Sequence, residues 1–160
     1  MDRVLHFLSI SGVGGLVVSV GAFIVFFIVE CFTIPPGSYT FEPPNLGPGS
    51  FEPTLNRYQR LTEFIVGLAT GSIVLLAGTS IFHADGRLPQ LYGPALVLLA
   101  MSIVWLVLFI SCTTFFYEDW KHHPEIYKHW RYRLIVTFGF SGLVSFALGY
   151  LRLGFALMGH

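Results

Sequence analysis

A chain of 160 residues that is 54% hydrophobic and only 11% charged lies far from the make-up of a soluble domain, where about a quarter of residues carry charge. Nine Lys plus Arg balance nine Asp plus Glu. Nucleic-acid binding calls for a basic excess, so no nucleic-acid partner is expected, and the length predicts one domain spanning residues 1–160.

Four apolar runs approach or exceed the roughly 20 residues needed to cross a ~30 Å hydrocarbon core. They cover residues 4–29, 61–82, 91–116 and 134–157, and none carries Asp, Glu or Lys in its middle. Lipid offers backbone groups no partners, so each run is predicted to be helical. The alternation of a membrane barrel is absent. The fold class expected is therefore an all-α, four-helix transmembrane bundle.

The first run follows Arg3 but is much longer than the apolar stretch of a signal peptide, and no clear cleavage site follows it. It is read as a retained helix. It carries Gly14 and Gly21 seven apart, and ends on Phe23, Phe26 and Phe27. His6 near its start and His83 near the end of the second run are the two weak candidates for haem or pigment ligation. Both sit at helix ends, where contact with lipid headgroups is the simpler role, and no cofactor is demanded.

The first connection, residues 30–60, holds prolines at 35, 36, 43, 44, 48 and 53. Proline removes a donor and blocks helix interior, so this stretch is expected to be extended or turn-rich. It is read first as a surface loop, and second as a strap docking on a neighbouring subunit.

The second run carries Gly67 and Gly71 as GxxxG with Gly78 seven residues on. The fourth carries Ser141, Ser145 and Gly149 at four-residue spacing. Small residues let helix backbones approach closely where lipid supplies no hydrophobic drive. Gly67, Gly71, Gly78, Ser145 and Gly149 are therefore the expected packing positions, within the bundle or against another chain.

Asp85-Gly86 signals a short turn between the second and third runs. The third connection reads YEDWKHHPEIYKHWRYR. Pro124 and Glu125 suit a helix start. Trp120, Tyr127, Trp130, Tyr132, Arg131 and Arg133 have the amphipathic and cationic character of headgroup anchors. An interfacial helical segment is predicted over residues 117–133, bending into the fourth span.

Arg3, Arg87 and Arg152 fall on one side of the membrane. Arg57, Arg60, Lys121, Lys128, Arg131 and Arg133 fall on the other. The positive-inside rule then predicts both larger loops cytoplasmic and both termini outside. Cys31 and Cys112 trace to the same surface, and in that compartment they are expected to be free thiols.

Buried charge and proline-broken half-helices, the marks of many pumps and transporters, are missing from the spans. At the more cationic surface, Glu63, Asp119 and His122 are the weak candidates for a metal or proton-transfer site, but no known metal-ligand spacing links them. An enzyme is not expected. The reading favoured is a non-catalytic structural or accessory subunit of a larger membrane complex, in contact with lipids and with other subunits or copies of itself. The rival is a homo-oligomeric pore lined by hydroxyls such as Thr70, Ser72 and Thr79.

Overall fold

The computed structural model describes residues 12–33, 38–42, 47–81, 92–123 and 127–158. They form four long helices: α1 (Gly12–Thr33), α2 (Glu52–Ile81), α3 (Gly93–His122) and α4 (His129–Met158). Each is long and apolar enough to cross a membrane. The all-α four-helix bundle expected from the apolar runs is the architecture found. It makes the chain a small multi-pass membrane protein. Two short strands, β1 (Ser38–Tyr39) and β2 (Tyr127–Lys128), pair antiparallel, with Ser38 opposite Lys128 and Tyr39 opposite Tyr127. They lie at the end of the bundle where α1 and α3 finish and α2 and α4 begin, called here the loop end.

Helix limits differ from the apolar runs because hydropathy reports the bilayer crossing, not the helix. Helix α2 starts at Glu52 rather than near residue 61. Gly49 turns the chain at φ +82°, and the Glu52 N–H donates to the Gly49 carbonyl at 3.2 Å. Glu52 and Pro53 then suit a first turn, where a carboxylate faces the positive dipole end and proline forfeits no helical bond. Pro53, read from sequence as part of a loop, is a helix starter.

Helix α3 runs on to His122, with Lys121 and His122 in its last turn, where the dipole favours cations. The stretch expected as one interfacial segment, residues 117–133, divides instead. Its start completes α3, its middle includes β2, and its end is the first turn of α4. Pro124, Glu125 and the Asp85-Gly86 turn lie outside the described residues. A helix of 30 residues is about 45 Å long, so α2, α3 and α4 each outreach a ~30 Å hydrocarbon core.

Helices α3 and α4 share the most extensive interface, α1 packs against both, and α2 packs along α3. The α3–α4 contact is close because α4 offers small residues to it. A Cβ at Gly142 would lie 2.7 Å from the Leu106 side chain, and one at Gly149 2.9 Å from that of Leu99. The approach of α1 to α3 is similar: a Cβ at Gly15 would lie 2.7 Å from the Pro94 carbonyl oxygen. Hydrogen bonds reinforce these approaches. Ser102 Oγ donates to the Gly142 carbonyl at 2.9 Å. Ser19 and Ser145 hydroxyls meet at 2.8 Å, and Trp105 Nε1 donates to Ser19 Oγ at 2.8 Å. Three helices thus converge on Ser19. The Trp105 ring also stacks on Phe23, with centroids 4.9 Å apart and planes 7° from parallel.

Candidate functional site

The loop end is where the chain gathers its aromatic and charged side chains. Phe41 is buried against Tyr117 of α3 and Ile135 of α4, with Phe51 and Trp120 packed beside them. Glu42 ties this cluster down through Oε1, which accepts the Tyr117 hydroxyl and the Gly49 N–H, each at 2.8 Å. The described part of the proline-rich connection therefore docks on its own bundle. One aromatic anchor and one carboxylate latch hold it there.

Two recesses open near this cap. The first is an apolar cleft of about 280 Å³ between α2 and α4, floored by α3. Tyr58 forms one wall, Tyr132, Val136 and Phe140 the other, and Phe41 and Phe51 line it from the cap side. The cleft exists because α2 and α4 both pack on α3 but meet each other closer to the opposite end. There the Tyr150 hydroxyl contacts Ser72 Oγ at 2.6 Å and donates to the Leu68 carbonyl at 3.1 Å.

The second recess is a broader groove of about 780 Å³ on the other flank of α2. Gln59, Thr62 and Glu63 face Ser111, Thr114 and Glu118 across it. This places Glu63 beside Glu118 rather than Asp119. The Asp119 carboxylate instead accepts Arg131 Nη1 at 2.8 Å, and His122 is exposed in the last turn of α3. Glu63, Asp119 and His122 are thus not brought to one point. Among the described residues no group of three His, Cys, Asp or Glu is placed to hold a metal ion. His6 and His83 lie outside the described residues.

The expected headgroup anchors all map to the loop end. The Arg131 guanidinium sits 5.3 Å from the Phe116 ring centre and 5.7 Å from that of Trp130. Trp130 is half exposed. Trp120 stacks on Tyr117, and Tyr132 turns into the cleft. Arg133 points Nη1 at Cys31 Sγ, 3.7 Å away. Both cysteines are free thiols. Only the backbone of Tyr127, in β2, is described.

The expected packing positions separate into two sets. Ser145 and Gly149 are buried inside the bundle. Among the described residues, nothing lies within 4 Å of a Cβ position at Gly67, Gly71 or Gly78. They lie opposite the face that buries Thr62, Ile65 and Ala69 against α3. The hydroxyls proposed to line a pore do not share a face either. Ser72 is bonded to Tyr150 and Thr70 is exposed, the two standing about 200° apart around the helix. The Thr79 side chain lies outside the described residues. The aromatic cleft was not singled out from sequence. It arises from the splay of α2 and α4, and its residues are scattered from Phe41 to Leu143.

Comparison with known families, with curated proteins and with solved structures finds no match.

Proposed function

We propose that the protein is a non-catalytic subunit of a larger membrane complex, and that the outer face of α2 seats a helix of another subunit or of a second copy. One observation carries this reading. Gly15, Gly142 and Gly149 sit where a Cβ would collide with a neighbouring helix, whereas Gly67, Gly71 and Gly78 have open space. Glycine weakens a helix by about 1 kcal/mol relative to alanine, and in lipid its compensation is the close approach of another backbone. Among the described residues, none approaches α2 on this face. The glycines alternate with exposed Phe64, Leu68, Val74 and Leu75, which supply the ridges that a small-residue groove needs around it. By the charge count, the loop end lies on the cytoplasmic side.

The test is extraction in a mild detergent, followed by the mass and absorbance spectrum of the intact particle. Additional polypeptides at fixed stoichiometry, or a defined multimer, support the reading and say which helix covers α2. Gly71→Leu is expected to shed that partner while leaving the helical content and thermal transition of the protomer unchanged. A wild-type particle of one 17.9 kDa chain in detergent and in lipid alike would sink the proposal.

A further inference from the structure

We propose that the cleft between α2 and α4 holds one hydrocarbon chain of an anionic phospholipid, with its phosphate at Arg57. The cleft is lined by side chains of the spanning helices α2 and α4 that are exposed on the outside of the bundle, the surface that lipid covers in a membrane. Tyr58, Phe140 and Leu143 at its mouth are 39%, 50% and 40% exposed. At about 280 Å³ it sits just under the range of drug-sized pockets, a size suited to a single chain rather than a bulky ligand. No carboxylate lines it, and the Thr113 hydroxyl in its wall is committed to the Phe109 carbonyl at 2.7 Å. The interior is therefore apolar, and a void open to lipid is filled by hydrocarbon because dispersion contacts are otherwise lost from its walls.

Charge at the mouth selects the headgroup. Arg57 precedes Tyr58 by one residue, shares its flank with Leu61 one turn on, and lies away from Gln59 and Thr62, which face the other groove. It is exposed and forms no ion pair among the described residues. By contrast, Lys121 and Arg131 are committed to Glu52 and Asp119. A guanidinium one residue along α2 from the cleft wall, with no ion pair among the described residues, matches a phosphate attached to a chain, by charge and by its bidentate donors. Tyr58, which lines the cleft and is 39% exposed, has the amphipathic ring that suits the boundary between the two media.

The experiment uses the full chain in nanodiscs containing trace phosphatidylglycerol with a photoactivatable group in one acyl chain, and separately the phosphatidylcholine analogue. Adducts are mapped by peptide mass spectrometry. The expected result is adducts concentrated on Tyr58, Phe140 and Leu143, favouring phosphatidylglycerol by roughly fivefold, the scale of one basic side chain at an anionic surface. Val136→Trp, which fills the slot, should abolish them while adducts on Val17 and Ile24 of α1 persist. Leu143→Trp, at the more open mouth, gives the same readout should the first variant lose its helical circular dichroism. Arg57→Ala should remove the headgroup preference but keep the chain adducts. Adducts spread evenly over all four spans, or unaffected by the filled cleft, would overturn the site. A preference that survives Arg57→Ala would overturn the role of that residue.

Discussion

Serine hydroxyls do opposite things within a few turns of α4. Ser145 is fully buried and bonded to Ser19, which also accepts Trp105. Ser141, one turn earlier and equally buried, has an Oγ without a hydrogen-bond partner among the described residues. Removing a satisfied interhelical hydroxyl in a membrane costs on the order of 0.6–1.7 kcal/mol, whereas removing an unsatisfied one relieves a desolvation penalty. Ser145→Ala is therefore expected to destabilise by about 1 kcal/mol and Ser141→Ala to be neutral or stabilising, as read from unfolding in bicelles. Equal losses would contradict the assigned bonding. Four-residue spacing in the sequence singled out Ser145 and Gly149, and both are buried. It could not tell that Ser141 lacks a partner, because that depends on where α1 lies. Nor did it single out Trp105, whose indole N–H meets a serine 86 positions away.

Among the elements, the four spans were legible because twenty apolar residues leave the backbone no alternative in lipid. Their ends were less so. The polar first turns of α2, through Asn56, Arg57 and Arg60, look like loop to a hydropathy window, and Pro53 reinforces that impression until Gly49 is seen to set up the helix start. The connection after α1 was expected to lie on the surface or strap a neighbour. What the spacing of prolines does not reveal is that Phe41 and Glu42 are drawn onto α3 and α4 by partners remote in sequence. Tyr117→Phe deletes the hydroxyl that reaches Glu42 and should cost about 1 kcal/mol. Amide exchange in residues 38–42 and 47–51 should quicken while that of α3 stays slow. If exchange there is unaltered, the latch does not hold the segment. The Lys121–Glu52 pair at 3.3 Å is more than half exposed on both sides, so Lys121→Ala should change stability by less than about 1 kcal/mol.

At the scale of the whole molecule, the bundle puts both described connections at one membrane surface. Cys31 reports which side of the membrane that surface faces. It is exposed at the loop end beside Arg133. In a Cys112→Ser background, a membrane-impermeant maleimide is expected to spare intact cells and label Cys31 only after permeabilisation. Labelling of intact cells would invert the cytoplasmic assignment drawn from the Lys and Arg count. Assembly of the bundle carries its own optical signature. Trp120 and Trp130 belong to the loop end, whereas Trp105 stands within the span, locked parallel to Phe23 and hydrogen-bonded to Ser19, both on α1. A ring held so rigidly in asymmetric surroundings contributes near-ultraviolet circular dichroism, which vanishes when tertiary packing loosens even if helices persist. The band from Trp105 is thus a built-in gauge of whether the first helix has docked. It needs no label, and a Trp120→Phe/Trp130→Phe double variant would isolate it.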